Sequence, residues 1–212
     1  MSSRALTAVG ARPAHRRAAP HRVAADVWRG APIRQADWAM AEQAPLIVTA
    51  ALDGEAWAWF EDLRQAHFPR HRNQVPAHLT LFHALPGEHE DAVVQTLKAA
   101  CRGVAPIEMD VRGPWSLGRG VAYRLASADL EQLRRDLADA FSPWLTRQDQ
   151  APLRPHITVQ NKVGPDEARQ LLQQLQVEFE PFSIRAEGLL LWRYLGGPWA
   201  RVERFEFGAP AP

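Results

Sequence analysis

A four-residue pattern occurs twice in this 212-residue chain and constrains the fold more than any other feature. The tetrad HLTL at residues 78–81 matches the tetrad HITV at residues 156–159, within the stretches PAHLTLFHALP and RPHITVQNKV. Side chains alternate between the two faces of a β-strand, so each His shares a face with its Thr while the aliphatic residues face a core. Two such strands side by side would bring four polar groups together.

Hydrophobic spacing extends this duplication to most of the chain. A strand at 46–52 precedes a helix, the first tetrad strand, a second helix and a strand near 107–111. The order repeats with a strand at 121–125, a helix that Ser127 can cap, the second tetrad strand, a helix that begins at Pro165 and a strand at 182–194. A strand at 201–207 follows. Such self-similarity is typical of an internal duplication.

The duplication predicts an α+β, bilobal fold over residues 44–208, with a first lobe at about 45–118 and a second at about 119–208. We expect two antiparallel sheets with flanking helices, related by a pseudo-twofold around a central cleft. Equivalent strands of two such halves meet at the axis. The two His-Thr pairs are therefore expected to face each other across the cleft.

The first 43 residues differ from the rest of the chain. They are rich in Ala, Arg and Pro and lack a sustained apolar period, which predicts a largely disordered arm. Seven Arg face only three acidic residues there, which leaves 18 basic against 21 acidic residues elsewhere. The folded part is therefore no general polyanion binder. Trp28, Ile33 and Trp38 are the arm residues able to dock on the body, and residues 209–212 are a short tail.

Composition favours a soluble protein in a reducing compartment, and we expect a monomer. The chain is 46% hydrophobic and 23% charged, and it contains no run of the roughly 18 apolar residues that a membrane helix needs. Its single cysteine, Cys101, excludes an internal disulfide. We therefore expect a cytoplasmic protein without a membrane segment.

Two imidazoles across a small gap suit a reaction that needs one base and one acid, because their usual pKa lies near neutrality. In phosphodiester transfer, one His takes the proton of the attacking water or hydroxyl and the other protonates the leaving oxygen. The two Thr hydroxyls can hold the non-bridging phosphate oxygens. No metal or cofactor is needed, and Pro69 between His67 and His71 breaks the only helix-like metal spacing.

The two tetrads, 78 residues apart, and their flanks resemble the 2H phosphoesterase superfamily, most closely its bacterial 2′–5′ RNA ligase-like members, over about residues 45–208. The resemblance implies a bilobal α+β fold and metal-independent hydrolysis or transesterification of 2′,3′-cyclic phosphate ends or 2′–5′ linkages of RNA or nucleotides, with reversible 2′–5′ ligation as one form of it. By motif position it assigns His78, Thr80, His156 and Thr158 as the functional residues, and it favours His78 as the acid. The alternative is a non-catalytic module that binds RNA ends or nucleotides in the same cleft.

Four other residues are weaker candidates for substrate contact. Phe82 and Gln160 lie two residues beyond the threonines, so strict alternation turns both to the cleft, where Phe82 could stack on a base. Arg154 and Arg124 are candidates for phosphate contact.

Three other residues are assigned to packing. His83 falls on the core side of its strand if alternation is strict. Trp115 and Tyr123 carry large rings next to or within predicted strands, and we expect both in the core.

Overall fold

The computed structural model describes residues 43–208. The strands are β1 (Leu46–Leu52), β2 (Leu79–Leu85), β3 (Ile107–Ser116), β4 (Gly120–Ala126), β5 (His156–Asn161), β6 (Phe182–Tyr194) and β7 (Trp199–Glu206). The helices are α1 (Gly54–His67), α2 (Glu90–Cys101), α3 (Ala128–Ala140) and α4 (Pro165–Val177). The order strand, helix, strand, helix, strand occurs twice before β7, so the predicted repeat of elements is confirmed.

Residues 1–42, which include nearly all of the predicted arm with Trp28, Ile33 and Trp38, lie outside the described residues, as does the tail 209–212. The four helices of the described part contain 14, 12, 13 and 13 residues. None of them has the length and apolar character that a membrane crossing requires.

Local sequence sets where the helices begin. The Asp53 carboxylate accepts a hydrogen bond from the Ala56 N–H at 2.8 Å and caps α1. Ser127 caps α3 as predicted, because its hydroxyl accepts from the Leu130 N–H at 3.3 Å. Each cap satisfies a backbone donor that the first helical turn leaves unpaired.

All seven strands hydrogen-bond into one antiparallel sheet of order β2-β1-β6-β3-β4-β5, with β7 also beside β6. The strand β6 is 13 residues long. Its residues 182–186 pair with β3, while residues 186–193 pair with β1 and residues 188–194 with β7. The two sheets expected from the sequence are therefore joined, because one long strand serves both halves. If β1, β2 and β3 are exchanged with β4, β5 and β6, the strand order of the sheet is the same read from the other end.

The first helix of each half packs on strands of the other half. Trp59 and Phe60 of α1 make edge-to-face contacts with Tyr123 of β4, at 5.2 and 5.6 Å between ring centroids. In the reverse direction, Phe82 of β2 contacts the ring of Phe141 at the end of α3, at 5.2 Å. Tyr123 is buried, so its assignment to the core is confirmed. A boundary near residue 118 thus separates the two halves in the sequence. The side chains of the two halves nevertheless pack together.

Two buried arginines hold these helices against the free edges of the sheet. Because β2 and β5 are its end strands, their outer carbonyls have no strand partner. Arg64 of α1 donates from Nη1 to the Thr158 carbonyl at 2.8 Å, and Arg134 of α3 donates from Nε to the Leu81 carbonyl at 2.7 Å. Each arginine therefore ties a helix of one half to the tetrad strand of the other half.

Candidate active site

The two tetrads lie at matching ends of β2 and β5. His78 directly precedes β2, and His156 is the first residue of β5. Ile157 pairs with Tyr123, whose ring contacts α1, so Ile157 faces the helices. By alternation, His156 and Thr158 face the opposite side of the sheet.

The same hydrogen bond orients both imidazoles. The Nδ1 atom of His78 lies 2.7 Å from the Pro76 carbonyl oxygen, and the Nδ1 atom of His156 lies 2.8 Å from the Arg154 carbonyl oxygen. A carbonyl oxygen only accepts, so Nδ1 carries the proton of the neutral ring and the lone pair is on Nε2. Neither Nε2 atom has a hydrogen-bond partner within residues 43–208. Both rings therefore present the same atom for proton transfer.

The two imidazoles are close enough to influence each other. The pKa of His78 is lowered to about 4, first because its ring is desolvated and further because the charges of Arg64, His156 and His83 are near. The hydrogen bond to the Pro76 carbonyl acts in the opposite direction but does not prevail. The Cα atoms of β2 and β5 also approach within 8 Å. His78 is thus neutral at neutral pH.

Trp199 is the residue that covers His78, with the two ring centroids 4.7 Å apart. It is the first residue of β7, after the turn at residues 195–198. That turn reaches the loop before β2, where a Cβ on Gly197 would lie 2.4 Å from the Gln74 side-chain oxygen. The turn between β6 and β7 therefore arches towards His78 and places the tilted ring of Trp199 against its imidazole.

The surroundings of His156 are different. The ring of Trp115 approaches it edge-on at 6.3 Å between centroids, and the Arg124 guanidinium lies 4.8 Å from the centre of the Trp115 ring. Arg124 pairs with His156 across β4 and β5, and both Arg124 and Arg154 are exposed. The assignment of Trp115 to the core is wrong, because β3 continues to Ser116 and carries this half-buried ring to the site.

The two threonines present free hydroxyls. Thr80 and Thr158 are half-buried, and no side chain or backbone group of the described residues hydrogen-bonds to either hydroxyl. Beside Thr80 on β1, the Thr49 hydroxyl is instead occupied by the Trp192 indole N–H at 2.9 Å. The four tetrad side chains thus have unoccupied polar atoms on the face away from the helices.

A β-bulge inside each strand overturns the assignment of Phe82 and Gln160 to the cleft. The pairing register skips Leu81 in β2 and Val159 in β5, at the fourth residue of each tetrad. An extra residue shifts the alternation by one position. Phe82 and Gln160 consequently turn to the helix side, where they are 0% and 3% exposed.

The same shift moves His83 out of the core, contrary to its assignment. Its side chain is 44% exposed, with Nδ1 2.9 Å from Asp149 Oδ1. The Asp149 carboxylate also accepts from the backbone N–H of Ala84 at 3.1 Å, which covers the edge of β2. Burial alone would raise the pKa of Asp149, but the hydrogen bonds from His83 and Ala84 lower it below its usual value.

Metal ligands do not converge in the described part of the chain. No three His, Cys, Asp or Glu side chains of residues 43–208 are grouped as a metal site requires. The helix α1 ends at His67, before His71. Metal-independent chemistry stays a prediction.

Comparison with known proteins agrees with this architecture. The chain matches the sequence model of the 2′-5′ RNA ligase superfamily over residues 52–198. No curated protein sequence matches it. The solved structure of TT0787 from Thermus thermophilus is similar at a TM-score of 0.55 and 19% identity, over 76% of this chain and 97% of that chain.

Two structures of LigT from E. coli are also similar. The apo form gives a TM-score of 0.54 and 17% identity, over 79% of this chain and 99% of that chain. The complex with 3′-AMP gives a TM-score of 0.50 and 19% identity, with the same shares of 79% and 99%. At these identities the similarity establishes a common α+β fold.

Proposed function

This chain belongs to the 2′-5′ RNA ligase superfamily of 2H phosphoesterases, and we propose that it is a metal-independent phosphodiesterase acting on 2′,3′-cyclic phosphate ends or 2′–5′ linkages of RNA or nucleotides. The observation that carries the proposal is the matched pair of imidazoles, each oriented through Nδ1 and each with Nε2 free. E. coli LigT, which shares the fold, has been crystallised with 3′-AMP and with NADP+. A nucleotide ligand is therefore reasonable for this chain.

The proposed reaction uses all four tetrad side chains. When a 2′,3′-cyclic phosphate is hydrolysed, one imidazole takes a proton from water as the water oxygen bonds to phosphorus. One ring P–O bond breaks, and the other imidazole, in its protonated form, gives its proton to the leaving sugar oxygen. The hydroxyls of Thr80 and Thr158 donate to the non-bridging oxygens and stabilise the charge that they gain.

We assign the base to His78 and the acid to His156. The family resemblance favours the opposite order. The lowered pKa of His78 nevertheless keeps its Nε2 unprotonated at neutral pH, as a base requires. In ligation a 5′-hydroxyl takes the place of water, so the same imidazole removes its proton and the other protonates the leaving 3′ oxygen. The two imidazoles exchange these roles when the resulting 2′–5′ linkage is cleaved back to the cyclic phosphate.

The body of the substrate is proposed to lie beside His156. Arg124 and Arg154 supply exposed positive charge there, and the half-buried Trp115 offers a ring on which a base can stack. In this proposal the two halves act as lobes related by a pseudo-twofold, with the scissile phosphate between them. The site is contributed by one chain, so a monomer is sufficient.

The experiment is turnover by the purified full chain in EDTA, on 2′,3′-cyclic AMP, on RNA with a cyclic phosphate end and on a 2′–5′ dinucleotide. We expect hydrolysis of at least one of them. A rate that EDTA abolishes would contradict the metal-independent mechanism. Binding without turnover on all three would favour the non-catalytic module that binds RNA ends or nucleotides.

A further inference from the structure

A groove runs between α1 and α4, behind β5 and on the opposite side of the sheet from the tetrad imidazoles. Its first part is a cavity of about 260 Å³ with four aromatic rings in its wall: Trp59, Tyr123, Phe179 and Phe182. Its second part, also about 260 Å³, has mostly polar side chains: His67, Gln160, Glu167, Gln170 and Gln174. The two parts share Ala66, His67 and Gln174, so they form one groove.

Gln160 leaves an unsatisfied acceptor in the polar part. Its Nε2 atom donates to Glu167 Oε1 at 3.4 Å. Since a carboxylate only accepts, this bond defines which end of the amide is the oxygen. That oxygen, Oε1, is buried and has no hydrogen-bond partner among residues 43–208. A buried acceptor of this kind is normally paired, so this oxygen lacks the donor that it would usually have.

Tyr123 contributes a second polar atom, its hydroxyl, to the aromatic part. The residue is 3% exposed, and its hydroxyl makes no hydrogen bond to the part of the chain that the structure describes. Burial and the nearby Glu178 carboxylate raise the pKa of Tyr123. The hydroxyl therefore stays protonated, with a carboxylate close to it.

The charged side chains that line the groove are all acidic. Its acidic side chains are Asp62 and Glu178 in the aromatic part and Glu167 in the polar part. The other titratable group besides Tyr123 is His67, whose pKa burial lowers, so it is neutral at neutral pH. Carboxylates and aromatic faces both attract cations, and the unpaired Gln160 oxygen requires a donor.

We propose that the groove binds a small arylalkyl ammonium ion. The aromatic body lies among Trp59, Tyr123 and Phe179, and the ammonium group donates a hydrogen bond to Gln160 Oε1. This site goes beyond the proposed phosphodiesterase and does not depend on it, because none of its residues belongs to the tetrads.

Three probes of equal length test the proposal on the full chain: 4-phenylbutylamine, the neutral 4-phenyl-1-butanol and the anionic 4-phenylbutyrate. Affinities come from calorimetry and the binding site from amide chemical shifts of the isotope-labelled protein. We expect the amine to bind about tenfold tighter than the alcohol and the acid to bind weakest, because only the amine carries the complementary charge. The shifts should lie on α1, α4 and β5.

Substitutions then separate charge from packing. Gln160→Met keeps the side-chain length but removes the acceptor, and Glu178→Gln removes one carboxylate, so each should weaken the amine about fivefold or more. Glu88→Gln, an exposed acid in the other half, is the control and should change nothing. Equal affinities for the three probes, shifts located on the imidazole side of the sheet, or no binding at millimolar amine would each overturn the proposal.

Discussion

The two halves of the molecule carry the same tetrad side chains in different surroundings. His78 lies under Trp199 and near the buried Arg64, whereas His156 lies beside Trp115 with the exposed Arg124 stacked on that ring. Trp199 belongs to β7, which follows the second half and has no counterpart after the first in the described part of the chain. Duplication supplies two equivalent imidazoles, and one extra strand makes their surroundings unequal.

The largest expected effect comes from removing either imidazole. We expect His78→Ala and His156→Ala each to lower turnover of 2′,3′-cyclic AMP by about 10²-fold or more, because a positioned acid or base contributes 10² to 10⁴. The measurement is kcat at saturating substrate, with thermal unfolding as the test of folding. His71→Ala removes an exposed histidine elsewhere and should have no effect. Near-normal turnover in either tetrad variant would place the chemistry elsewhere.

A smaller loss is expected for the threonines, and it tests whether the halves contribute equally to phosphate binding. Thr80→Val and Thr158→Val keep the side-chain shape but remove one hydrogen-bond donor. Each should therefore lower kcat/KM by about 10- to 100-fold. Thr80→Ser and Thr158→Ser should restore most of the activity. If the valine variants retained full activity, the hydroxyls would not contact the phosphate.

Trp199→Ala tests the difference between the two imidazoles through the pH dependence of the rate. A base works only when unprotonated, so with the pKa of His78 at about 4 the rate should fall only below about pH 4. Removing Trp199 returns water to the ring and raises the pKa of His78 towards the usual imidazole value of about 6.5. The fall of the rate at acidic pH, the acidic limb of the profile, then moves to higher pH. We expect about a tenfold loss near pH 5.5 and little loss at pH 8.

Trp115→Ala is the matched control for the other half. It should raise KM without moving the acidic limb, because Trp115 contacts His156 and not His78. An acidic limb that stays in place in Trp199→Ala, or that moves equally in both variants, would contradict the assignment of His78 as the base.

Deleting residues 1–43 should have the smallest effect, because the segment contains no part of either tetrad. Turnover of 2′,3′-cyclic AMP should stay within about a few-fold. Affinity for a longer RNA should fall and lose part of its salt dependence, since the seven Arg of the segment can release counterions from phosphates. A truncated protein that folds but loses the mononucleotide reaction would show that the segment contributes to the site.

Periodicity predicted the elements and the tetrads because those depend on local patterns. It failed at Phe82, Gln160 and His83, because a bulge reverses strand faces without any mark in a single sequence. It also missed Trp115, where β3 runs past its predicted end through Gly113 and Pro114. The local sequence pattern therefore predicted each helix and strand, but it did not predict the bulges and the extension within the strands.

The structural roles of Arg64 and Arg134 could have been inferred from the sequence, whereas that of Asp149 could not. Arg64 lies four residues after Phe60, and Arg134 four residues after Leu130, so each places a charge on the buried stripe of its helix. A charged residue at such a position indicates a specific buried partner. Asp149, in contrast, lies in a polar loop with no periodicity, and only the folded edge of β2 gives it a role.

The position of β6 also determines when the molecule can be completed during synthesis. This strand joins β1, β3 and β7 in the middle of the sheet, yet its residues 182–194 leave the ribosome after all of β1 to β5. Until then, β1 and β3 each have one unpaired edge, and such edges in a partly made chain promote aggregation. We therefore expect a chain that stops before residue 182 to be insoluble rather than half-folded, and folding to be slow because its decisive contacts are far apart in the sequence.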